Sequence, residues 1–304
     1  MKWRKLGRVY VANGEHEWAQ THAYIPTPLI LDDRQLRIYC AFLDKDNVGR
    51  IGFVDLDAKN PLKVLRVSTR PVLDIGKPGN FDDSGVTPSS VIDNRGKTLM
   101  YFFGWQRGIK VRYFLFTGLA TGEKRAESFE RHSNVPILDR NNDELFVRSA
   151  PHVIIDNNIF KMWYVSGSKW VINRGKEIPT YNIRYIESDD GVSWSKKSVV
   201  CLDHSSTDEI GFGRPFVVKD RKLYRMWYSI RTLSKGYRIG FAESKDGLNW
   251  ERKDNEVGID LSESGWDSEM ICFASIVDAH CERYMFHNGN EFGKTGFGVA
   301  LLEG

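Results

Sequence analysis

Residues 151–166 read PHVIIDNNIFKMWYVS, and residues 215–230 read PFVVKDRKLYRMWYSI. Each stretch is an apolar run, a polar turn centred on an aspartate (Asp156 or Asp220), and a second run rich in aromatic side chains. The same pattern lies on both sides of them. PLILDD, SSVIDN and SIVDAH carry the turn aspartates Asp32, Asp93 and Asp278, and RIYCAF, LMYFFG and YMFHNG supply the matching second runs. The turns recur at a spacing of about sixty residues, a self-similarity that marks a repeat architecture. A third run follows in every unit: RIGFVDL, RYFLFTGLA, NIRYIES, RIGFAES and GFGVALLE. In the third and fourth units it leads into ESDDGVSW and ESKDGLNW. There Asp190-Gly191 and Asp246-Gly247 supply the positive-φ residues of a tight hairpin and predict a fourth strand after each.

Four antiparallel strands in each of five units predict an all-β fold, a five-bladed β-propeller whose blades bury their faces against their neighbours. The last unit stops after its third run, whereas Trp3 to Val11 (WRKLGRVYV) is a spare strand at the other end. The expectation is that this N-terminal strand closes the fifth blade, removing exposed sheet edges. Gly- and Pro-containing stretches fall between strands and no linker is visible, so residues 1–304 read as a single domain.

Composition agrees with a folded β protein. The 304 residues are 41% hydrophobic and 27% charged, with nine Trp and 27 Gly, a balance that favours strands and turns. The formal charge of +3 is spread without basic clusters, which points away from nucleic acid and anionic membranes. No run of apolar residues is long enough to span a bilayer and no secretory pattern opens the chain, so a cytoplasmic location is expected. Cys40, Cys201, Cys272 and Cys281 lack CxxC spacing and read as reduced and structural.

Repetition marks the Asp-centred turns as scaffold, because Asp and Asn favour turns for local backbone reasons. The opposite ends of the strands differ from unit to unit. Ahead of the first runs lie His22, Asp82-Asp83, Asp143-Glu144 with Arg148, Asp208-Glu209 with Arg214, and Asp267 with Glu269. Converging strands would bring such residues to one channel mouth, where carboxylates shift each other's pKa and divide acid and base roles. Asp83, Glu144, Glu209 and Glu269 are therefore the catalytic candidates. Arg148 and Arg214 either neutralise these acids or clamp an anionic group of a ligand. The loops after the second runs add Trp105 and His287, and Trp beside polar groups suits a sugar ring. His22, Trp105, Arg148, His152, Arg214 and His287 are the binding candidates; for His152 a packed core position is the competing reading. Trp163 and Trp227 read as core, Trp194 and Trp250 as packing behind their turns. No ligand spacing demands a metal or other cofactor.

These residues resemble the five-bladed propeller superfamily that contains glycoside hydrolase families 43, 32 and 130. The resemblance rests on the apolar run with its Pro before the Asp turn (Pro88, Pro151, Pro215), on MWY in the second run, and on E-S-x-D-G-x-x-W at Glu187–Trp194 and Glu243–Trp250. It implies a funnel in which carboxylates from different blades cleave a glycosidic bond. The sequence departs from family 43 where that family offers a first-blade Asp, here His22-Ala23-Tyr24-Ile25-Pro26. The expected function is a glycan-processing enzyme, with a glycoside phosphorylase or a non-catalytic sugar-binding propeller as the alternatives.

Overall fold

Every turn of the repeat joins two antiparallel strands in the computed structural model, which describes residues 1–195 and 197–303. Arg95-Gly96, Asn157-Asn158 and His280-Cys281 have two successive positive φ angles, the backbone that matches the twist of paired strands. In the first turn the Asp32 carboxylate instead accepts the Arg34 N–H at 2.8 Å.

The described strands form two four-stranded sheets and one twelve-stranded sheet. Short parallel pairings of Val147 with Leu115, Arg148 with Phe116 and Gly211 with Tyr181 join three antiparallel groups of four within the latter, so that five such groups follow one another along the chain. The first comprises Thr21–Asp32, Gln35–Leu43, Gly49–Asp57 and Asn60–Val67. The second comprises Val86–Asn94, Lys97–Arg107, Tyr113–Glu123 and Glu130–Arg131. Val147–Asp156, Ile159–Asn173, Lys176–Ser188 and Val199–Leu202 form the third, and Glu209–Asp220, Leu223–Thr232, Arg238–Ser244 and Glu251–Arg252 the fourth. In the fifth, Cys272–Ala279, Glu282–Asn288 and Phe297–Glu303 are completed by the N-terminal strand Lys2–Tyr10, paired from Lys2 opposite Glu303 to Tyr10 opposite Phe297 with register shifts between Lys5 and Gly7 and between Arg8 and Tyr10.

Apolar side chains alternate along these strands and pack between neighbouring groups. Tyr39 and Phe53 meet Met100 and Phe116; Tyr101 and Leu119 meet Met162 and Ile186. Trp163 and Tyr185 meet Met226 and Tyr228, Trp227 and Phe241 meet Trp3 and Met285, and Phe286 and Val299 meet Leu36 and Val54. Each group thus shares a core with the next and the last shares one with the first. This is a propeller-like all-β arrangement, and it puts Trp163 and Trp227 in the core as expected. Charged groups rivet the same joints: Asp156 accepts from Lys219 of the following group, and Asp220 from Arg283 at 2.7 Å.

Asp190-Gly191 and Asp246-Gly247 do not form the expected tight hairpins. The third strand of the third group ends at Ser188 and the fourth starts at Val199, ten residues of chain away. The reason is that Asp190 Oδ1 accepts the N–H groups of Val192 and Ser193 at 2.8 and 2.7 Å, so the side chain templates a wider loop. Gly191 and Gly247 keep the anticipated positive φ, and the Trp250 indole donates to the Gly247 carbonyl at 2.9 Å.

One irregularity positions the site. The first strand of every group slips register at an equivalent place: Tyr24/Thr27, Pro88/Ser90, Ser149/His152, Gly213/Phe216 and Cys272/Ser275. In four of these bulges a non-glycine residue has positive φ, namely Ile25, Ala150, Arg214 and Phe273. A bulge re-aims a side chain out of the alternation. All four residues line one cavity.

Candidate functional site: an aromatic and basic funnel

Two cavities of about 420 and 310 Å³ share Tyr24, Trp105, Tyr113 and Phe292 and form an outer and an inner chamber. His22, Asn47, Ser84, Arg107 and Arg112 line the outer one. The inner one has the bulge residues and Ser149 at its base, with Phe103, Tyr181, Arg231 and Tyr237 on its walls. Its polar groups are held in place. Thr87 Oγ1 takes the Trp105 indole N–H at 3.0 Å and lies 2.9 Å from the Tyr24 hydroxyl. The Tyr113 and Tyr181 hydroxyls meet at 2.5 Å. Burial pushes the Tyr24 phenol up to about 12, so it enters any chemistry as a neutral hydrogen-bonding group.

Arg214 is 1% exposed. Its Nη1 donates to the carbonyls of Phe273 and Ala274 at 3.1 and 3.0 Å, and its Nη2 to Thr27 Oγ1 and the Ser89 carbonyl at 3.0 and 3.2 Å. These acceptors come from the first, second and fifth groups, so the guanidinium is held between three strand groups. Its Nε–H has no partner among the described residues. Burial lowers the guanidinium to about 9. Arg231 reaches over the Tyr181 ring, 5.8 Å from its centroid, and donates to the Pro179 carbonyl at 3.3 Å.

Of the sequence-chosen binding residues, His22, Trp105 and Arg214 face the two chambers. His22 Nδ1 lies 2.9 Å from Thr21 Oγ1, and burial, then the Lys294 charge, lower its imidazole. The other three point elsewhere. Arg148 is buried against Glu144 at 3.3 Å and donates to the Asp139 carbonyl at 2.6 Å. His152 lines a separate cavity, packed at a tilt against Phe216 with ring centroids 4.2 Å apart and bonded to the Val217 carbonyl at 2.9 Å. His287 is buried in the fifth group against Trp266.

The structure does not bring the four candidate carboxylates together. Asp83 accepts from the Gly79 N–H and the Ser84 hydroxyl, both at 2.9 Å, within its own loop. Glu144 is 1% exposed and takes the Tyr164 hydroxyl at 2.7 Å and Ser198 at 3.0 Å. Glu209 is paired with Arg252 at 2.6 Å; burial opposes its ionisation, but the Arg252 and Ser205 hydrogen bonds hold it below the usual carboxylate range. Glu269 is exposed, tied through its backbone to Asn290 and Arg238. Among the described residues no carboxylate side chain lines either chamber. No group of three or more His, Cys, Asp or Glu among them is arranged around a metal position. No described helix is long and apolar enough to cross a membrane.

Sequence reasoning passed over Tyr113, Tyr181, Tyr237, Arg112 and Phe273. A signal for the inner base was present, since Ile25, Ala150 and Arg214 each precede a proline in the first run.

No family model matches the sequence. Among solved structures it is similar over 98% of its length to 91% of a glycoside hydrolase, with a TM-score of 0.75 and 18% identity. It is also similar over 92% of its length to 88% of a thermostable family-43 glycoside hydrolase (TM-score 0.68, 18% identity), and over 93% to 86% of the GH43_1 enzyme from Xanthomonas citri complexed with xylose (TM-score 0.64, 15% identity). The fold is therefore that of the propeller-like glycoside hydrolases. In sequence it is 38% identical over 303 residues, the whole of both proteins, to the uncharacterized protein Rv1502 of Mycobacterium tuberculosis strain ATCC 25618 / H37Rv, and equally to MT1551 of strain CDC 1551 / Oshkosh. The chain thus belongs to the family of Rv1502, carried on a glycoside hydrolase fold.

Proposed function

We propose that the five strand groups are the blades of one closed propeller domain, residues 1–304, and that its funnel recognises a saccharide without a catalytic carboxylate pair. The observation that carries this reading is the lining: aromatic rings and hydrogen-bonding groups face the chambers, while Glu144 and Glu209 are consumed by Arg148 and Arg252. Aromatic faces accept the C–H faces of a sugar, and fixed polar groups at their edges orient its hydroxyls. A glycosidase would need an acid and a second carboxylate flanking one bond. The glycoside hydrolase neighbours support a carbohydrate ligand, and the lining favours binding over cleavage among the alternatives.

The experiment is a titration of saccharides against the protein, followed by ligand-observed NMR and Trp fluorescence. Trp105→Ala is expected to weaken binding by tenfold or more, in line with the ~1.4 kcal/mol per decade that loss of one stacking face readily supplies. In parallel, aryl glycosides are offered with and without phosphate. Turnover that Glu209→Gln or Asp83→Asn abolishes would restore a hydrolase, and phosphate-dependent turnover a phosphorylase.

A further inference from the structure

Buried and half-buried arginines outside the funnel have carboxylate partners, among them Arg37 with Asp55, Arg148 with Glu144, Arg252 with Glu209, and Arg283 with Asp220. Among the described residues Arg214, as buried as any of them, has only neutral acceptors. Carbonyls and a hydroxyl orient the guanidinium but supply no negative charge, and a buried cation without a counter-charge is costly. Its Nε–H is unpartnered, and the residue lines the inner chamber at a bulge with φ of 33°. Backbone strain of this kind persists where the surrounding structure over-determines it, as at ligand clamps.

The surroundings carry the same sign. Arg231 lines the same chamber with a carbonyl as its hydrogen-bond partner, and Arg107, at the outer chamber, likewise bonds to the Asp46 carbonyl at 3.2 Å. Arg112 lies beside Arg107 in the outer wall. A concave site lined by one sign of charge concentrates ligands of the other.

We infer that the saccharide carries an oxyanion, a phosphate ester or a carboxylate, which seats in the inner chamber between Arg214 and Arg231 with the sugar ring against Trp105. This rests on the saccharide reading above and deepens it. Guanidinium groups suit the shared chemistry because they offer directed N–H donors and remain charged when partly desolvated. The oxyanion supplies the counter-charge that the protein withholds from Arg214. Tyr181 and Tyr237, neutral because burial raises both phenols, add donors at its flank.

The test uses the full-length protein and matched probes: glucose and galactose, their 1- and 6-phosphates, glucuronate and galacturonate, and inorganic phosphate, titrated by calorimetry and ligand-observed NMR. At least one acidic sugar should bind tenfold or more tighter than its neutral parent, with an advantage that shrinks as salt rises. Arg231→Gln and Arg214→Lys should each remove most of that advantage. Arg231→Gln leaves the Arg214 guanidinium in place, so it reads the site even if Arg214 variants fail to fold. The phosphate and uronate arms separate the two sources of the anion. Equal binding of neutral and acidic sugars overturns the oxyanion and leaves saccharide recognition standing. An acidic preference that survives both substitutions places the anion elsewhere and overturns the inference too. Binding of inorganic phosphate alone retains the oxyanion site and removes the sugar, and binding of no probe removes both.

Discussion

At the scale of single residues, the protein buries ionisable groups in two ways, and pH separates them. Most buried arginines are neutralised by acids, whereas His152 and His287 are buried as neutral imidazoles. Burial, followed by the Arg214 charge, lowers His152 to about 3 from the ordinary 6.5, and burial, then the Lys5 charge, lowers His287 to about 4. The unfolded state binds a proton at each below 6.5 while the folded state does not, so stability present at neutral pH is lost as pH falls toward the folded values. Each histidine contributes a slope of up to about 1.4 kcal/mol per pH unit. Urea midpoints should therefore decline from pH 6.5 to 4.5. His152→Gln, which retains a donor for the Val217 carbonyl, should flatten that decline while losing about 1 to 3 kcal/mol at pH 7 through poorer packing on Phe216. An identical pH slope in the variant would show that His152 takes no part.

At the scale of the strand, the repeat specifies turns and alternation, and the exceptions carry the most meaning. Gly191 has φ +75° and a Cβ there would lie 2.6 Å from the Tyr101 hydroxyl and 2.7 Å from the Phe160 ring, inside the joint between the second and third groups. Gly96 has φ +83° with nothing near a Cβ. Gly96→Ala should cost about 1 kcal/mol for the left-handed backbone alone. Gly191→Ala adds an overpacking penalty and should cost about 2 to 4 kcal/mol, measured by chemical denaturation. Equal costs at the two glycines would mean that the joint yields easily. The first-strand bulges are the other exception. The prolines after Ile25, Ala150 and Arg214 were legible as a recurring feature of the first runs, but a Pro in a strand does not say which way the residue before it turns. That depends on register against the second strand, which slips at each of these places.

At the scale of the molecule, the first strand is joined to the last one described, so that Lys2–Tyr10 and Phe297–Glu303 share a sheet. Trp3 is 6% exposed and meets Trp227 edge-on at 6.3 Å, tying this strand to the fourth group as well as the fifth. Trp3→Ala should lower stability by about 3 to 5 kcal/mol in a single cooperative transition. Removal of Met1 to Tyr10 should leave Phe297–Glu303 as a bare edge and promote association, read by light scattering. A truncated protein as stable and monodisperse as the whole would show that the end strand is dispensable.

The period, the turn aspartates, the spare N-terminal strand and the core tryptophans were written in the sequence, because each follows from local alternation and turn chemistry repeated along one polypeptide. The choice of partner for each polar side chain was not. Glu144 and Glu209 stand at the expected ends of their strands, yet Tyr164, Ser198 and Arg252 capture them. Arg214 was legible as a site residue, but its want of a counter-charge was not. Acceptors from three strand groups surround it, and only the packing of those groups against one another decides which charges meet and which are left for a ligand.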